Sequence, residues 1–154
     1  MMKIMMSCDH AGPEMMEYLK ENLKKNGYEV EIPASAQGLT EETKVDYPDM
    51  AKELAHMVVE AQGEAMGILI CGTGIGMAIA ANKVPGIRAA NVTNELCAAL
   101  ARRHNDANVL CLGARIIGPE LAWAITKTFL ETSFEGGRHQ RRVNKIDGTE
   151  KSKP

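Results

Sequence analysis

Cys71 closes an apolar run, Ile68-Leu69-Ile70, and stands directly before a loop written Gly72-Thr73-Gly74-Ile75-Gly76. A helical segment, 75–83, follows. Strand, glycine loop and helix in that order put a nucleophilic sulfur at the carboxyl edge of a parallel strand. Beside it runs a series of backbone N–H groups able to bind an anion. Ligands of open α/β sheets bind at this edge. An ordinary thiol is only a few per cent thiolate at neutral pH, and a helix N-terminus raises that fraction. The alternative for a lone cysteine is an inert place in the core. Cys8, Cys97 and Cys111 have no comparable setting, and Cys97 and Cys111 read as packing residues.

Other groups fall near strand ends. Asp9-His10 follows the first apolar run and should reach the same edge as Cys71. His104-Asn105-Asp106 ends a helix just before the fifth run, where a histidine can also simply complement the helix dipole. Arg115 follows the fifth run. Arg138 and Arg142, spaced i, i+4, face one way on a helix and could clamp one phosphate, although a basic run is commonly a solvated face. A thiol, two histidines, an anion loop and several arginines, mostly after strand ends, suit proton transfer on a phosphorylated small molecule. The loop spacing is Gly-x-Gly-x-Gly rather than the Gly-x-Gly-x-x-Gly of dinucleotide sites. Glu95 lies at the distance a ribose-binding acid would occupy, so spacing alone leaves that reading open. The loop's place after the third strand, not the first, argues against it. With no Gly-Lys-Ser/Thr, a triphosphatase phosphate loop is excluded.

The elements that must position these groups alternate short apolar runs with amphipathic ones, as in a βαβ fold. Strands are expected at 3–8, 28–32, 67–71, 87–91 and 108–112. Helices are expected at 13–26, 48–61, 75–83, 94–103 and 119–132, with 33–47 a loop. Five parallel strands covered on both faces follow. The 154 residues favour one domain, 1–148, with a polar tail at 149–154. A net charge of −2 gives no reason to expect nucleic acid. No stretch approaches the roughly 18 apolar residues of a membrane span. Four cysteines without a secretory signal read as reduced cytoplasmic thiols, with no metal-binding spacing among them.

Seven stretches together resemble the type B ribose-5-phosphate isomerases, in the family shared with the galactose-6-phosphate isomerase subunits. They are Cys8-Asp9-His10, Asp46-Tyr47-Pro48, Ile70-Cys71-Gly72-Thr73-Gly74-Ile75-Gly76, Ala80-Ala81-Asn82-Lys83, Gly86-Ile87-Arg88-Ala89, the run from Arg103 to Val109, and the run from Gly136 to Val143. The resemblance implies a three-layer α/β/α sandwich with a Rossmann-like five-stranded parallel sheet. It also implies a homodimer or dimer of dimers with active sites at the interface, a helical arm at about 137–148 packing on the partner, and no metal or organic cofactor. By the same resemblance Cys71 would be the base moving a proton between C1 and C2 of an open-chain phosphorylated aldose or ketose. Thr73 and the loop groups Gly72, Gly74, Ile75 and Gly76 would stabilise the enediolate. His104 would assist ring opening, with Asp9 near the sugar hydroxyls and Tyr47 contacting the sugar. His10, Arg138 and Arg142 would hold the phosphate, and Asn105 and Arg115 would come from the partner's side. The loop 34–45 is a few residues longer than the family pattern. Ribose 5-phosphate is the expected substrate, with six-carbon sugar phosphates or a non-catalytic binding module as alternatives.

Overall fold

The computed structural model describes residues 2–149; the expected polar tail beyond 149 lies outside the described residues. Strands β1 (Lys3–Cys8), β2 (Glu29–Glu31), β3 (Ala65–Cys71), β4 (Ala89–Asn91) and β5 (Val109–Gly113) pair in parallel in the order β2-β1-β3-β5-β4. The helices are α1 (Pro13–Lys25), α2 (Tyr47–Glu60), α3 (Ile75–Ala81), α4 (Glu95–Asn105), α5 (Pro119–Glu131) and α6 (Arg138–Asp147). The three-layer sandwich expected of the sequence is the one observed. Edge strands β2 and β4 are shorter than their apolar runs, β4 because residues 84–88 turn through Gly86 at φ +92° before it pairs. The loop 33–47 carries one 3₁₀ turn at Ala34–Ala36, and Tyr47 opens α2.

Side chains alternate along each central strand, so the sheet has two apolar faces. Ile4, Met6, Cys8, Ile68, Ile70, Leu110 and Leu112 pack under α1, α4 and α5. Met5, Leu69, Cys71, Val109 and Cys111 face α2 and α3. Cys71 therefore points to the side covered by its own following helix, whereas Cys8 points to the other. Proline at the first turn of α1, α2 and α5 suits positions with no intrahelical N–H partner. Asn94 caps α4 by accepting the Cys97 N–H at 2.8 Å. Cys97 itself is exposed, not packed as expected, because it sits in the first turn of α4 on the face turned away from the sheet.

Burial pushes the Cys8 thiol up to about 12, with the neighbouring Asp9 charge adding to it. An unfolded thiol loses its proton near ~8.5. The neutral buried thiol therefore contributes stability that is complete below that pH and is lost as pH rises toward 12. The slope contributed is about 1.4 kcal/mol per pH unit. Urea unfolding of the wild type should weaken more steeply above about pH 9 than that of Cys8→Ala; parallel pH profiles for the two would refute this.

Candidate active site

Strand order reverses between β1 and β3, so the crevice beyond their carboxyl ends is the switch point where open α/β sheets bind ligands. Two glycine-bearing loops meet there. In the first, the buried Asp9 carboxylate accepts the Ala11 N–H at 2.8 Å, which turns the chain into α1. A Cβ on Gly12 would approach those of Cys8 and Ile70 to 2.8 and 3.1 Å, so only glycine lets α1 start this close to the sheet.

The second loop holds the thiol. Cys71 is 5% exposed, and its sulfur accepts the Gly74 N–H at 3.1 Å. Gly74 takes φ +83°, a left-handed conformation that turns the loop into α3. The Ile75 N–H donates to the Thr73 hydroxyl at 3.2 Å. In the amide orientation that satisfies both its ends, Asn91 donates to the Cys111 carbonyl at 3.2 Å and also accepts from Ile75 at 3.3 Å. Two of the loop N–H groups expected to face an oxyanion are thus engaged with Cys71, Thr73 and Asn91. Thr73 is exposed at the crevice. Tyr47 lies across Gly76, so close that a Cβ there would come within 2.5 Å of the ring.

The segment after β5 is fastened to this loop. Ala114 and Arg115 donate their N–H groups to the Cys71 and Gly72 carbonyls, both at 2.9 Å. The Arg115 guanidinium passes 3.3 Å from where a Cβ of Gly72 would stand. Arg115 therefore lies beside the thiol loop of its own chain, whereas the resemblance implied a place on the partner's side. With His10, Glu41 and the start of α5 at Gly118 and Pro119 it lines a cavity of about 570 Å³. The Nδ1 of His10 is buried there and has no hydrogen-bond partner among the described residues. A guanidinium, an unsatisfied imidazole nitrogen and a helix N-terminus together suit an anion.

The remaining residues lie elsewhere. His104 and Asn105 end α4, which runs from the carboxyl edge back to the amino edge before β5 begins. Arg88, just before β4, donates to the Asn105 and Asp106 carbonyls at 3.1 and 3.0 Å and pairs with Asp147 at 2.8 Å. Arg102 pairs with Asp106 at 2.8 Å and donates to the Ala107 carbonyl at 2.6 Å. These contacts fix the ends of α4 and α6 beside the amino ends of β4 and β5. A five-residue strand rises about 3.3 Å per residue, which separates its two edges by roughly 13 Å. His104, at the end of a helix just before the fifth strand as its place in the sequence implies, is therefore on the opposite edge from Cys71. Arg138 and Arg142 are exposed on α6, which packs on α4. His139, on the inner face of α6, stacks on His104 with ring centroids 4.4 Å apart. Glu135 approaches both histidines.

Among residues given no role from the sequence, Asn91 bonds Ile75 of the thiol loop, Gly113 lies against Thr73, Glu135 approaches His104, and Arg88 and Asp106 hold the end of α4 that carries His104. Arg88 and Asp106 stood within the quoted stretches, but their ion pairs required the fold.

An all-parallel Rossmann-like sheet with a buried thiol and an anion-suited cavity at its switch point defines an α/β enzyme of small-molecule chemistry. A family model described as Ribose/Galactose Isomerase matches residues 4–146, and the chain belongs to that family of aldose–ketose isomerases. Ribose-5-phosphate isomerase B of Escherichia coli is 42% identical over 150 residues, covering 97% of each chain. The crystal structure of ribose-5-phosphate isomerase B from Mycoplasma genitalium with bound ribulose-5-phosphate superimposes with a TM-score of 0.89 at 41% identity, covering 96% of this chain and 95% of that one. A D-erythrulose-4-phosphate isomerase of Pectobacterium atrosepticum is 41% identical over 146 residues, covering 95% of this chain and 93% of its own. Among the described residues, no helix is long and apolar enough to cross a membrane.

Proposed function

We propose that the chain interconverts D-ribose 5-phosphate and D-ribulose 5-phosphate through a cis-enediolate, with each active site built from two copies. The buried Cys71 sulfur at the switch point, facing the Gly74 N–H, carries this reading. The Cys71 thiolate removes the C2 proton of the open-chain aldose, and the electron pair moves onto the carbonyl oxygen at C1. The O2 proton passes to O1, and the thiol returns its proton to C1, leaving a ketone at C2. Donors held in place as charge builds on oxygen stabilise that transition state, and losing one typically slows turnover about 10²–10³-fold. Thr73 and the loop N–H groups other than those of Gly74 and Ile75 serve as these donors, and Asp9 and Tyr47 hold the sugar.

His104 moves a proton between the anomeric hydroxyl and the ring oxygen to open the furanose. Because it lies on the edge opposite its own Cys71, it acts on the thiol loop of a second copy, as do Asn105, Arg138 and Arg142. Those arginines meet His10 and Arg115 of the other chain around the phosphate. Remote phosphate contacts of this kind position the reacting carbons. Each step is a proton transfer between side chains and sugar and calls for no metal or organic cofactor. A coupled assay over ribose 5-phosphate, allose 6-phosphate and galactose 6-phosphate should give the highest kcat/KM on ribose 5-phosphate. A preference for a six-carbon substrate would transfer the assignment to that sugar. Glu41 keeps that alternative specific, since it carries the longer 34–45 loop into the cavity.

A further inference from the structure

The strongest unassigned cluster lies around His104. The Nε2 of His104 stands 4.0 Å from Glu135 Oε1, and the Nε2 of His139 stands 3.9 Å from Glu135 Oε2. The two imidazoles are stacked, 11° from parallel. The Glu135 N–H donates to the Arg103 carbonyl at 3.1 Å, which clips the segment before α6 onto the last turn of α4. His139 is buried by α4, while His104 and Glu135 remain partly exposed. These groups carry the donor set of a zinc site. With the rings stacked face to face and 11° from parallel, however, their in-plane lone pairs run alongside each other rather than toward one ion.

We propose that Glu135 and His139 are positioning residues for His104: the carboxylate keeps the imidazole proton on Nε2, and the buried ring fixes the imidazole plane. This rests on the ring-opening role given to His104 above. A second group on one nitrogen of a histidine decides which nitrogen carries the proton, and so which one is left to work on a substrate. At 4.0 Å the carboxylate acts through its charge or through one bridging water rather than by a direct hydrogen bond. The stack suits that arrangement. Burial, then the nearby charges of His104 and Arg138, push the His139 pKa down, with Arg142 adding and Glu135 opposing. The positive form of the His139 ring is thus disfavoured, and Glu135 is the carboxylate that stands nearest the His104 Nε2. Stacked aromatic faces contribute to holding a ring in one plane.

The test uses ¹⁵N-labelled protein, whose imidazole shifts report the tautomer, together with two substrates. Ribose 5-phosphate must be ring-opened, whereas ribulose 5-phosphate has no free hydroxyl placed to close a five-membered ring. Wild-type His104 should carry its proton on Nε2, and Glu135→Ala should give mixed tautomers. Glu135→Ala should also slow turnover of ribose 5-phosphate about tenfold or more, the scale of an impaired proton transfer, with KM within about twofold. Consumption of ribulose 5-phosphate should stay within about twofold. Glu135→Gln, which keeps the shape and removes the charge, should resemble Glu135→Ala. His139→Leu, which keeps bulk without a polar ring, should show the same substrate split. An unchanged His104 tautomer in Glu135→Ala overturns the inference whatever the kinetics. If His104→Ala itself slows both substrates equally, the ring-opening role falls, and the tautomer still decides whether Glu135 sets His104.

Discussion

Cys71→Ala and His104→Ala, each nearly inactive on ribose 5-phosphate alone, should recover about one quarter of wild-type turnover when their chains are mixed after unfolding and refolding. The geometry makes this follow from the sheet. Cys71 ends β3 at the carboxyl edge, and His104 ends α4 at the amino edge. In a mixed dimer one site pairs the two altered residues and the other pairs two intact ones. Random assembly makes about half the dimers mixed, and half of their sites are whole. Were Cys71 and His104 partners within one chain, every site in a mixed dimer would carry one defect and nothing would return. Steady-state assay of the refolded mixture, with each variant refolded alone as reference, decides between the two arrangements. Recovery no greater than the sum of the parents would remove the shared site.

Gly113→Ala should lower kcat about 10²-fold and destabilise the fold by about 1–3 kcal/mol. A Cβ at this last residue of β5 would stand 2.5 Å from the Thr73 carbonyl oxygen and 2.8 Å from its Cα. Both are backbone atoms, and the loop that carries them also holds Gly74 against the Cys71 sulfur. The added methyl must therefore move the loop rather than rotate a side chain aside. Displacing reacting groups by about an ångström is enough to lose two orders of magnitude in rate. Near-normal kcat together with an unshifted urea midpoint would show that the loop tolerates the methyl and that its fit against β5 does not matter.

The thiol loop was legible because its signals are local. An apolar run, a cysteine, alternating glycines and a helical segment dictate strand, turn and helix, and parallel order then dictates the edge. The same rule of polarity puts His104 on the other edge: a helix that follows one parallel strand and precedes another must end at the amino side. That signal was present in the position of α4 between β4 and β5. Arg115 was harder, because its place beside Gly72 depends on β5 lying next to β3, and strand order is a tertiary fact. Gly113 and Asn91 were silent for the same reason, since each acts only through a neighbour distant in sequence. Cys97 reads as apolar in composition, yet its position in the first turn of α4 leaves it facing outward.

The two opposite edges also bear on how such a gene can diverge. With the shared site proposed above, one chain carries the thiol half of a site and, some strand-length away, the histidine half of a different one. After duplication, either copy can lose one half and leave the mixed assembly with a working site, provided the two copies lose different halves. Two degenerate chains then become obligatory for each other, although neither has acquired anything new. Mutual dependence between paralogues is thus a short step from this architecture, reached by decay alone.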